Sequence, residues 1–150
     1  MSTIPELLTP DAVILQLESA EKIAVIKELT RLLASDVVAD EKLLLEAILR
    51  RENLESTGIG MGVALPHART SAVSRTALAF GRSEEGVDFN SLDRKPCHLV
   101  FLIVAPEDRK TEYIMTLARV SKLLRREDVR SELAQAETQD DILEVFRSHE

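Results

Sequence analysis

Between Arg51 and Arg69 the chain reads Arg-Glu-Asn-Leu-Glu-Ser-Thr-Gly-Ile-Gly-Met-Gly-Val-Ala-Leu-Pro-His-Ala-Arg, with alternating glycines ahead of a short apolar run, a proline and a histidine. Glycine at every second position lets a backbone turn sharply and approach a ligand, where exposed N–H groups can bind phosphate oxygens. Two familiar phosphate loops are excluded. No Gly-x-x-x-x-Gly-Lys-Ser/Thr stretch occurs, and Val63 or Leu65 stands where the last glycine of a Gly-x-Gly-x-x-Gly fingerprint would fall. The glycines also precede a strand-like run, whereas a dinucleotide fingerprint follows a strand and opens a helix. Pro66 confines Leu65 to extended backbone and so helps fix where the imidazole of His67 points. A histidine with a reference pKa of about 6.5 is largely neutral near pH 7, and the position suits a rigid, surface-facing nucleophile. Taken singly, these residues leave blander roles open. His67 also suits a loop or packing position, Arg51 a solvated helix end favoured by the dipole, and Ser56 and Thr57 a cap or turn.

The elements that must hold this segment are read from periodicity. From Ser19 to Ala34, Ile23, Ile26, Leu29, Leu32 and Leu33 recur at helical spacing, with Ser19 as the expected N-cap and Glu21 in the first turn. Asp40 is placed to cap a second helix that turns Leu44, Ala47 and Ile48 inward and ends near Arg51 or Glu52. Strand-like runs follow at Val63–Pro66, Thr76–Phe80 and Leu99–Ala105. The last is continuous enough to be buried on both faces and is the expected sheet centre. Beyond Pro106, Ile114, Leu117, Ser121 and Leu124 predict a helix, Val129 and Leu133 a short one, and Thr138 to Asp141 the capped start of a terminal helix. Helices before, around and after several strands predict an α/β sandwich with a central mixed β-sheet flanked by helices. No repeat or linker interrupts the chain, so residues 1–150 are expected to form a single domain.

Composition narrows the function. The 150 residues are 45% apolar and 30% charged, without an apolar run near the roughly 20 residues that span a bilayer, so no membrane insertion is expected. The first residues lack the basic flank and apolar stretch of a secretory signal, and the expected compartment is cytoplasmic. With 26 acidic against 19 basic residues, a formal charge of −7, no tryptophan and one tyrosine, nucleic acid is not an expected partner. Cys97 stands alone and reads as a buried, inert thiol. Asp88, Asn90 and Asp93 lack the glycine and distal glutamate of a calcium loop, so they read as a polar turn, and neither a metal nor a cofactor is expected. His98 is expected to pack or hydrogen-bond, and His149 to lie in a fraying terminus.

Taken together, Arg51-Glu52, Ser56-Thr-Gly-Ile-Gly60, Gly62, Ala64 and Pro66-His67 resemble the signature of the bacterial phosphotransferase-system enzyme IIA domains of the fructose/mannitol/nitrogen-regulatory type (type 2). Asp88-Phe89, the Leu99 to Pro106 strand and the helix after Lys110 resemble later segments of that family, so the likeness spans nearly the whole chain. The resemblance implies a phosphohistidine carrier that accepts a phosphoryl group on His67 from the small carrier HPr or its nitrogen-branch relative. By the same positions, Arg51 would bind phosphoryl oxygens in the transition state, and Ser56, Thr57 and Gly58 would shape the phosphate pocket. Many members of the family carry a second histidine near the start of the helix after the central strand; here Tyr113 stands there. Tyrosine can donate one hydrogen bond but supplies no positive charge at neutral pH.

Three functions follow. The first is a phosphocarrier, expected in a nitrogen-type regulatory role toward target proteins, because no fused IIB, IIC or HPr segment is seen and the long motif looks closer to that branch. Its alternative is a sugar-transport subunit that passes phosphate to a IIB domain. The second is a binding module that keeps the fold without the chemistry, for which Tyr113 is the best support. The third, a hydrolase, has no Gly-x-Ser-x-Gly nucleophile or metal-ligand cluster to accompany His67.

Overall fold

In the computed structural model, which describes residues 2–33 and 35–150, the central strand is β6 (Cys97–Ala105), and every residue of it except His98 is buried. That pattern needs neighbours on both edges and cover on both faces. β5 (Ala77–Val87) lies antiparallel on one side, with Phe80 opposite Phe101, and β1 (Val13–Ile14) continues that edge in parallel. On the other side β3 (Val63–Ala64) and β4 (His67–Arg69) both run parallel to β6, and β2 (Gly58–Gly60) closes the edge antiparallel to β3. Parallel and antiparallel pairs in one sheet make it mixed, with order β1-β5-β6-β3-β2 and β4 beside β6.

The helices cover this sheet. After α1 (Ile4–Leu7) and a 3-10 turn at Pro10–Ala12, α2 (Lys22–Leu32) packs on β5 and α3 (Glu41–Leu54) on β4. α4 (Lys110–Leu124) packs on β6, and α5 (Glu127–Gln135) lies against α6 (Gln139–His149). Phe80, Phe101 and Phe146 meet in the core, with ring centroids 5.5 to 6.5 Å apart and mostly edge to face, the arrangement that aromatic quadrupoles favour.

Several expectations hold and some shift. Asp40 caps α3 through Leu43 N at 3.0 Å, and Thr138 with Asp141 forms the capping box of α6. Ser19 is not a helix cap. Its hydroxyl accepts Glu21 N at 3.1 Å in the preceding turn, and α2 starts only at Lys22. α3 runs to Leu54, beyond the expected end, since nothing before Glu55 breaks its hydrogen bonding. The buried face of α4 is carried by Thr116, Val120, Leu123 and Leu124, while Ile114 is exposed: the half-buried Tyr113 takes the inward direction one residue earlier. His149 is not frayed, because Nε2 lies 2.6 Å from Glu132, and the Glu150 carboxylate holds Ile4 N and Arg119. Cys97 is buried with its sulfur 3.2 Å from Ser91 Oγ, and burial pushes its thiol pKa up.

Candidate functional site

The glycine segment is a hairpin. β2 enters it, Gly60, Met61 and Gly62 turn with φ of +89°, +60° and +75°, and β3 returns toward β6. Left-handed backbone of that kind costs a residue with a side chain, which explains two of the alternating glycines. Gly58 answers a different need. A Cβ there would sit 2.2 Å from Ser91 Oγ, so the strand reaches its place only without one.

His67 opens β4 and is half-buried. Its Nδ1 lies 2.6 Å from the Leu65 carbonyl oxygen. A carbonyl can only accept, so Nδ1 carries the proton and Nε2 keeps the lone pair. Burial pushes the imidazole pKa below its usual value and the Arg51 charge acts in the same direction; the Leu65 contact and the Glu52 charge oppose them, and the net shift is downward. The ring is therefore neutral at pH 7, the form with a nucleophilic nitrogen.

His67 shares a cleft of about 260 Å³ with Arg51, Ser56, Thr57 and Gly58, and Leu117 and Ser121 of α4 contribute to its wall. Arg51 stands in the last turn of α3, where Nη1 donates to the Glu55 carbonyl at 2.8 Å. Tyr113, from α4, is not in the cleft wall but packs against the imidazole, ring centroids 5.9 Å apart at 52°. Burial pushes its phenol up to about 12 against the lowering charges of Arg51 and Arg69, so the hydroxyl keeps its proton as a donor.

The hydroxyls of Ser56 and Thr57 and the N–H groups of Thr57 and Gly58 are taken up by protein partners, against the expectation of free phosphate-binding N–H groups there. The Thr57 N–H and hydroxyl both donate to Glu52, at 2.9 and 2.6 Å. The Ser56 hydroxyl donates to the Phe89 carbonyl and accepts from Gly58 N at 3.0 Å, and Met61 N donates to Asp93. Ser56, Thr57 and Gly58 thus form wall, and Arg51 is the cationic donor of the cleft. Sequence reasoning missed Glu52 as a buried anchor and missed Arg69. Strand alternation puts Arg69 on the same face of β4 as His67, with Ala68 buried between them. The signal for Glu52 was available: a glutamate on a helix at the spacing of buried Leu44 and Ile48 faces the core.

Away from the cleft, His98 Nδ1 pairs with the Ser83 carbonyl at 2.8 Å, and Asp88 closes the expected polar turn by accepting Asn90 N. Asp128, Glu132 and His149 lie close together across α5 and α6, but Arg126 already holds the Asp128 carboxylate and Glu132 pairs with His149.

Residues 6–149 match the family model described as phosphoenolpyruvate-dependent sugar phosphotransferase system, EIIA 2. The chain is 45% identical to a fructose-specific EIIABC component from Bacillus subtilis over 98% of its own length, and spans 23% of that longer protein. It is 34% identical over 87% of its length to a nitrogen regulatory protein from Bradyrhizobium diazoefficiens, covering 85% of that protein. The fold superimposes on the crystal structure of nitrogen regulatory protein IIA-Ntr from Neisseria meningitidis with a TM-score of 0.88 and 28% identity, covering 94% of this chain and 97% of that one. A mixed sheet under flanking helices, a glycine hairpin that delivers a histidine to a cleft edged by an arginine, and a family match across almost the whole length agree, and the chain belongs to the EIIA type-2 family of the phosphotransferase system.

Proposed function

We propose that this chain carries a phosphoryl group on Nε2 of His67, accepting it from the phosphohistidine of an HPr-like carrier in the cytoplasm. The observation that carries this reading is the contact of Nδ1 with the Leu65 carbonyl, which leaves the lone pair on Nε2 at the edge of a cleft lined by Arg51. In the transfer, the donor's N–P bond breaks as a bond forms from Nε2 to phosphorus, and the donor imidazole leaves with its electron pair. The accepting ring gains positive character, which the Leu65 carbonyl stabilises through Nδ1–H. Arg51 binds phosphoryl oxygens as charge spreads over them, and the Tyr113 hydroxyl donates a neutral hydrogen bond beside the ring. Onward transfer breaks the Nε2–P bond as a second acceptor's nucleophile attacks phosphorus, and His67 leaves as the neutral imidazole.

Both destinations have support. The backbone likeness to IIA-Ntr favours a regulatory role, in which the phosphorylated and free forms bind target proteins differently, and the 45% identity to a fructose-specific protein favours delivery to a IIB domain. Incubation with enzyme I, phosphoenolpyruvate and an HPr-type carrier should place one acid-labile phosphoryl group on the protein, lost in His67→Ala. Labelling that maps to Ser56 or Thr57, or persists in His67→Ala, would remove the proposal, and failure with every carrier would favour a binding module. Chase of the labelled protein with a IIB domain then separates transport from regulation.

A further inference from the structure

Glu52 is 5% exposed, an unusual place for a carboxylate unless its charge is matched. Three contacts match it. Lys22 Nζ, from the first residue of α2, lies 2.8 Å away, Thr57 supplies its N–H and hydroxyl, and Lys22 also donates to the Phe89 carbonyl at 3.3 Å. That carbonyl accepts the Ser56 hydroxyl as well, so one ion pair ties α2 and α3 to the loop before β2 and to the backbone at Phe89. Burying such a pair adds little net stability, because desolvation offsets the attraction and apolar side chains of similar volume hold a fold as well. What it supplies is direction.

The contacts continue to the reacting atom. Leu65 N donates to the Thr57 carbonyl at 3.0 Å, and the carbonyl of the same Leu65 accepts His67 Nδ1 at 2.6 Å. On the other branch, Arg51 precedes Glu52 on α3 and is bonded to Glu55 at the entrance to the same loop. We propose that the buried Lys22–Glu52 pair positions the transfer site, setting through Thr57 and Leu65 the tautomer and direction of His67 and through the shared helix end the place of Arg51. This rests on the reading of His67 as the phosphoryl acceptor. Lys22 and Glu52 are positioning residues and touch no phosphoryl group.

The test compares wild type with Glu52→Gln, Thr57→Val and Thr57→Ser at equal folded fraction, checked by circular dichroism. Two measurements are made: the nitrogen resonances of the His67 ring without any donor, and the rate of transfer from a phosphorylated HPr-type carrier over a range of its concentration. Wild type and Thr57→Ser should show the Nδ1–H form. Glu52→Gln and Thr57→Val should show a mixture of tautomers and a saturating rate lower by about tenfold or more, with KM for the carrier nearly unchanged. A single Nδ1–H tautomer with wild-type rates in folded Glu52→Gln would reduce the pair to a structural contact. Should Glu52→Gln not fold, Thr57→Val decides alone, since it removes one hydroxyl and keeps the N–H. The ring measurement needs no donor, so a wild type that accepts no phosphoryl group would overturn the acceptor reading while the tautomers still judge the positioning.

Discussion

His67 is where opposing electrostatic effects set the working range. Because burial holds its pKa below about 6.5, the neutral acceptor form persists to lower pH than in a free histidine. The fall in transfer rate with decreasing pH should therefore have its midpoint below about 6.5; a ring titration midpoint at or above about 6.5 would contradict this. The same shift has a stability consequence. The unfolded chain takes up a proton near pH 6.5 and the folded ring only at lower pH, so the contribution is full above 6.5 and is lost as pH falls through the folded value. At Arg51, lysine keeps the charge but loses the planar fork, and Arg51→Lys should slow transfer by about tenfold, or roughly 1.4 kcal/mol in the barrier. Wild-type rates in the folded variant would move Arg51 to the solvated surface. Tyr113→Phe removes a hydroxyl that has no protein partner among the described residues, so the fold should be unaffected while the phosphohistidine loses about 0.5–1.5 kcal/mol of stabilisation. Tyr113→His should transfer faster than tyrosine; equal rates and phosphohistidine lifetimes in all three forms would make Tyr113 a packing residue.

Among the elements, α3 shows what a sequence discloses and what it withholds. Its start was legible because Asp40 does a local job, accepting Leu43 N three residues on; Asp40→Ala should cost about 1 kcal/mol in chemical denaturation. A cost near zero would mean that packing alone holds the helix. The strand β6 was legible for a similar reason, since a run of apolar residues needs no partner to be recognised. The two- and three-residue strands β1, β2 and β4 carry too few positions for any period, and their places are set by partners far along the chain, such as Ile103 opposite His67. Likewise, the residues lining the cleft could be named from their motif, but the inward turn of Ser56 rests on the Phe89 carbonyl, and Thr57 turns to a Glu52 whose charge is matched by Lys22, both partners distant in sequence.

At the scale of the whole molecule, the site is fastened to the centre of the core. Phe101 lies in β6 between Val100, beside Ala64, and Ile103, beside His67, and its ring packs on Phe80 and Phe146. Phe101→Ala should cost about 3–5 kcal/mol, measured by thermal or denaturant unfolding, and a cost under about 1 kcal/mol would show that the core refills the space. The pairing of β3 and β4 with β6 carries a consequence for how the gene can change. Val63 faces Leu99 and His67 faces Ile103 in one unbroken register across Leu65 and Pro66, with the Pro66 carbonyl accepting Ile103 N. Side chains along such a stretch alternate between faces, so adding or deleting one codon between Val63 and His67 would turn the imidazole into the core and bring a core-facing neighbour to the cleft. The register therefore predicts that this stretch tolerates substitution better than a change of length.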